Sequence, residues 1–165
     1  MTIAATQKLK KFMYYISKSV PVKINFSDMA RDLELSRDEL PKYLEYLEKA
    51  ELVSVLRMKA NGDAILRKMD KLYLQNPNMS YVLSGENPDT GNARETIFYC
   101  WTKQKYDTVE SPVSDFEIDG KTFEVGGRNK GKKQISNLED AYVVKDTIEY
   151  VFDNQVPLWM FGFLY

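Results

Sequence analysis

Histidine is absent from this sequence. That removes His-based catalytic triads and most zinc sites. Cysteine occurs once, at Cys100, so no disulfide can form within the chain, which suits the cytoplasm. Neither charge sign dominates: 23 Lys and Arg stand against 24 Asp and Glu, for a net charge of −1. A surface that is one continuous nucleic-acid footprint is thereby excluded, while local basic patches are not. Long apolar runs are missing as well. The most apolar stretch, residues 156–165, is far too short to span a bilayer. Residues 1–11 are polar and helical in pattern, unlike a signal peptide. The expectation is a soluble cytoplasmic protein without a membrane partner.

What the chain does have is enough apolar residues for a core. Its 165 residues are 44% hydrophobic and 13% aromatic, sufficient for one domain or two small ones. Three apolar quartets with the i, i+3, i+4, i+7 spacing of one helical face open the sequence. They are Leu9, Phe12, Met13, Ile16; then Phe26, Met29, Ala30, Leu33; then Leu40, Tyr43, Leu44, Leu47. Ser36 and Glu39 form a capping box that predicts the start of the third helix. Pro41, which lacks an N–H, predicts a distorted first turn there.

Strand patterns follow at residues 52–58 and 64–67, with Asn61-Gly62 as the turn signal between them. Three helices and a hairpin make a winged-helix arrangement over residues 1–68. Further on, residues 71–75 read as a strand, 77–83 and 92–103 as helices, and 106–110, 141–144 and 147–151 as strands. In the helix over 92–103, Ile97, Cys100 and Trp101 are placed towards the interior, and the apolar tail is assigned to the core. A domain boundary falls near residue 69.

As a DNA reader the first half is poorly charged. Residues 26–50 hold seven acids and four bases, and each uncompensated acid opposes the phosphate attraction that dominates affinity. The basic candidates for nucleic-acid contact are Arg37 and Lys42 on the third helix, Arg57 and Lys59 at the wing, and Arg128, Lys132 and Lys133 further on. The charges rank protein packing slightly ahead of DNA contact for this module.

The chemistry concentrates in residues 114–133. Asp119-Gly120 predicts a tight hairpin, because both turn positions need positive φ. Its strands carry Asp115 and Glu124, and a basic loop follows. That loop has the G-x-x-x-x-G-K skeleton of a phosphate-binding loop over residues 126–132, but Lys133 stands where a Ser or Thr is needed, so a lysine-rich turn is the better reading. Sites of the PD-(D/E)xK nuclease type place an acid on one strand, an acid and a lysine on the next, and often a Glu on an earlier helix; the acids hold Mg²⁺. Asp115, Glu124 and Glu95 fit the acids as metal ligands. The lysine position is Gly126; Lys130 or Lys132 could reach back to it, and Lys130 is the candidate for a displaced catalytic lysine. The default reading is a solvated hairpin with its acids outward, the commoner place for Asp and Glu.

Several stretches taken in order resemble a known family. They are residues 26–33 (FSDMARDL), 71–78 (KLYLQNPN), 94–98 (RETIF), 123–130 (FEVGGRNK) and 156–165 (VPLWMFGFLY). Together they resemble the C-terminal region of prokaryotic AAA-type ATPases. In that family a P-loop ATPase domain precedes a winged helix and a restriction-endonuclease-like domain.

The resemblance implies an α/β chain with a winged helix over 1–68 and a small mixed sheet with flanking helices, degenerate as a nuclease, over 69–165. It implies a C-terminal portion of such a protein, without an ATP site of its own, and with an ATPase domain, a nucleic acid or a second copy as partner. The leading expectation is a non-catalytic accessory region. The alternatives are a Mg²⁺-dependent nuclease using Asp115, Glu124, Glu95 and Lys130, and a winged-helix transcription factor.

Overall fold

A computed structural model of the chain describes residues 3–58, 70–85, 89–131 and 135–164. It is a mixed α/β protein with five α-helices, two small sheets and a C-terminal 3₁₀ helix among these residues. The second strand and turn of the expected wing, with Lys59, lie outside the described residues, as do Lys132 and Lys133. Among the described residues no helix is long and apolar enough to cross a membrane.

The chain divides into two compact units, residues 1–55 with 69–88 and residues 56–68 with 89–165. A single cut near residue 69 therefore does not describe it.

The first unit contains α1 (Ile3–Ser19), β1 (Val22–Lys23), α2 (Phe26–Leu33), α3 (Glu39–Lys49), β3 (Lys71–Leu74) and α4 (Asn78–Ser84), with most of β2 (Val53–Leu56). The three strands pair in the order β1-β3-β2. Each apolar quartet lands on its helix: Phe12, Ile16, Met29, Leu33, Leu40 and Leu47 are all buried. Asn25 caps α2 by accepting from the N–H groups of Ser27 and Asp28, which satisfies donors the helix itself cannot.

The capping box forms as read. The Ser36 N–H donates to Glu39 Oε2 at 3.0 Å and the Glu39 N–H to Ser36 Oγ at 3.2 Å. Lys8 of α1 also reaches Glu39 at 2.7 Å. The hydrogen bonds from Lys8 and then Ser36 push the Glu39 carboxyl down to about 2. From Glu39 to Lys49 α3 runs unbroken past Pro41. The irregularity lies just before it: residues 37–38 form a turn, and the Glu39 N–H donates to the Ser36 carbonyl only three residues back.

The second unit holds α5 (Thr90–Thr102), β4 (Thr108–Glu110), β5 (Phe116–Ile118), β6 (Lys121–Gly126), β7 (Ala141–Lys145), β8 (Gln155–Pro157) and the 3₁₀ helix Leu158–Phe163. Its sheet order is β4-β5-β6-β7-β8. The first three strands form an antiparallel meander, and β7 and β8 continue it in parallel. The hairpin turn is as predicted, with φ of 50° at Asp119 and 78° at Gly120.

Four expectations are corrected here. Residues 147–151 are not a strand: Tyr150 and Val151 are exposed, and the chain turns back at Asp153, φ 55°, to lay β8 beside β7. Phe98 and Tyr99, not Ile97 and Trp101, give α5 its buried face along with Cys100. The tail is only partly core. Leu158 is buried and Phe161 packs on Phe98, with ring centroids 4.7 Å apart, whereas Trp159 and Phe163 are exposed. A 3₁₀ turn of three residues sets this pattern, since positions 158 and 161 share a face and 159 does not. Finally, the hairpin acids do not both point to solvent, because Glu124 is 1% exposed.

Phe98 is the centre of this unit. It meets Phe116 at 5.0 Å and Phe123 at 5.5 Å as well as Phe161, so one ring joins helix, sheet and tail. Burial beside it pushes the Cys100 thiol up to about 11. Phe98→Ala is expected to cost about 3–5 kcal/mol by denaturant unfolding, as for other large-to-small core changes. A loss below about 1 kcal/mol, within the range of surface substitutions, would show that the cluster does not organise the unit.

Candidate active site at the end of strand β6

Two adjacent strands position the carboxylates. Phe116 of β5 pairs with Phe123 of β6 at the last step of their ladder, and Asp115 lies in the bend one residue before Phe116. The Val125 N–H donates to Asp115 Oδ2 at 2.8 Å, which fixes that carboxylate against β6. Side-chain alternation puts Glu124 and Gly126 on the face opposite Phe123.

Glu124 is buried with both carboxylate oxygens engaged. Ser114 donates its hydroxyl to Oε2, and Lys130 Nζ pairs with Oε1 at 2.5 Å. Such a buried carboxylate is tolerable only when paired and hydrogen-bonded. Lys130 reaches it because the chain turns after β6, with the Lys130 N–H donating to the Gly127 carbonyl at 3.0 Å.

The stem of Lys130 then lies where residue 126 would place a side chain. A Cβ on Gly126 would meet Cβ of Lys130 at 2.5 Å and its Cδ at 2.7 Å, closer than real atoms approach. Glycine is required at 126 for this steric reason, and the amine beside Glu124 comes from position 130.

Burial works to lower the Lys130 pKa. The hydrogen bond that Lys130 donates to Glu124 and the charges of Asp115, Glu124 and Glu95 outweigh it and hold the pKa above the ordinary 10.5. Glu95, on α5, thus acts on the site through its charge. Among the described residues no three His, Cys, Asp or Glu side chains gather to hold a metal, so Asp115 and Glu124 are a pair of possible ligands rather than part of a trio. Two carboxylates offer the hard oxygen donors that Mg²⁺ takes.

Arg37, Lys42, Arg57 and Arg128 are exposed, the first two in the first unit and the last two in the second. Sequence reasoning missed Ser114 and the reason for Gly126. The signal available was the diglycine at 126–127 directly after a strand, which marks close approach by another group.

A family described as "Domain of unknown function (DUF8612)" matches residues 2–90, just over half of the chain. Its span takes in nearly all of the first unit together with residues 56–68 of the second. No curated protein and no solved structure matches.

The pair has a testable pH signature. The folded state raises the Lys130 pKa, so its contribution is complete below the unfolded value and is lost as pH rises through the raised folded value. Lys130→Met is expected to cost roughly 1–3 kcal/mol at neutral pH, discounted because the lysine side chain is 36% exposed. In denaturant unfolding the gap to the parent protein should close as pH passes above 10.5. A gap of the same size at both ends of the range would mean that charge is not what Lys130 supplies.

Proposed function

The chain belongs to the DUF8612 family, and we propose that it joins a winged-helix unit to a restriction-endonuclease-like unit with a divalent-metal-dependent phosphodiesterase centre. The observation that carries the reading is the stem of Lys130 in the space beside Gly126. It places an ammonium group on Glu124 and near Asp115, which is what the nuclease pattern requires and what the sequence at position 126 lacks. The order of α5, the antiparallel meander and the parallel β7 also supports it, because Glu95, Asp115 and Glu124 then arrive in the expected order from helix and strands.

In this reading Asp115 and Glu124 bind Mg²⁺ or Mn²⁺. The bound ion would activate water and neutralise charge on the phosphodiester. Lys130 holds the attacking water and stays protonated in the field of three carboxylates. Ser114 fixes the direction of Glu124. For the first unit, three helices with a β1-β3-β2 sheet support a winged helix. Its acidic second and third helices favour a partner protein, such as the ATPase domain implied by the family resemblance, over DNA.

A second reading, a non-catalytic accessory region of an ATPase that binds nucleic acid or protein, is favoured by one observation. With both its oxygens engaged, Glu124 already forms a complete arrangement with Ser114 and Lys130, which needs no metal to hold it.

Calorimetric titration with Mg²⁺ and Mn²⁺ separates the two. The catalytic reading expects binding that Glu124→Ala abolishes, and nucleic-acid cleavage that Lys130→Met lowers by roughly 10²-fold, the scale of one positioned hydrogen-bond donor lost from a site. Gly126→Ala should lower cleavage as well, by displacing Lys130. Absence of cation binding in the parent protein would retire the catalytic centre and leave the accessory role.

A further inference from the structure

Beside the diglycine lies a second cation that the catalytic reading does not use. The guanidinium of Arg94, on α5, rests against Gly127: a Cβ there would meet its Nη1, Cζ and Nη2 at 3.0, 3.1 and 3.2 Å. Its Nε donates to Asp146 Oδ2 at 2.6 Å. Gly126 pairs with Lys145 at the last step of their ladder, and Gly127 and Asp146 each follow directly, so Arg94 is held where two neighbouring strands end.

Its side chain is 22% exposed, yet among the described residues only Nε is engaged in a hydrogen bond. Among the described residues nothing takes the donors of the two terminal nitrogens, on a side chain already held by Asp146 and by the bare backbone of Gly127. A guanidinium held in this way presents a planar fork that matches phosphate oxygens, and little rotamer freedom is left to lose on binding. Residues 126 and 127 each leave room for a cation, Lys130 at the first and Arg94 at the second, with exposed Arg128 next in sequence.

Resting on the phosphodiesterase reading, we propose that Arg94 is the substrate-positioning residue of this site. It grips a non-bridging oxygen of a nucleic-acid backbone phosphate beside the one at Lys130, and Gly127 and Asp146 hold it ready.

The test is equilibrium binding of a short fluorescent DNA duplex to the full chain across a salt series, with Ca²⁺ as the added cation, for the parent protein, Arg94→Met, Arg94→Lys and Gly127→Ala. Arg94→Met should weaken binding about tenfold at low salt and make the slope of log affinity against log salt shallower by about one, the signature of one lost phosphate contact. Arg94→Lys should retain the salt slope and recover part of the affinity. Gly127→Ala leaves every charge in place but pushes on the guanidinium, so it should weaken binding several-fold.

An Arg94→Met protein with a lower melting temperature and the parent's salt slope would make Arg94 a purely structural tie and overturn the proposal. Parent-like binding by both Arg94→Met and Gly127→Ala would do the same, as would a parent protein that binds no duplex. The catalytic reading is judged separately, by cation binding at Asp115 and Glu124.

Discussion

The pairing of Glu124 with Lys130 is the constraint around which the second unit is arranged. A carboxylate at 1% exposure in the middle of a sheet is costly unless a cation and a hydrogen-bond donor reach it. Each local feature nearby meets that demand. Gly126 gives up its side chain so that the lysine stem can pass, the turn at Gly127 brings residue 130 back, and Ser114 takes the remaining oxygen. Changing one member therefore disturbs several elements, since the turn, the strand end and Asp115 share the same few ångströms.

The first unit depends on ordinary means. Its helices bury regular apolar faces, and its helix starts are fixed by Asn25 and by the Ser36–Glu39 box. The family match stops at residue 90, where this unit ends and α5 begins. The match also includes residues 56–68, which group with the second unit.

Local patterns made much of this legible. Helical spacing placed α1, α2 and α3 because each has one apolar face against its own unit, and Asp119-Gly120 fixed the hairpin because few dipeptides accept two positive φ angles. Asp115, Glu124 and Lys130 came together as candidates by comparison with the PD-(D/E)xK pattern, and nothing in the spacing of Lys130 showed that it reaches Glu124.

What failed was whatever depended on distant partners. Residues 147–151 are as β-branched and aromatic as a strand, but β7 already has β6 on one side, and β8 takes the other. Burial of Glu124 ran against the usual exposure of glutamate, because its partner is supplied by the fold. Arg94 gave no signal by itself, since its position follows from the missing side chain at residue 127 and from Asp146 just past the end of another strand.

The lone thiol has a further use. Cys100 is 9% exposed and its pKa is about 11, so at neutral pH almost none of it is thiolate, the form that reacts with alkylating reagents. The native chain is therefore chemically silent towards maleimides. A cysteine introduced at an exposed position such as Asp119, at the hairpin tip, would be the one site a dye or spin label finds.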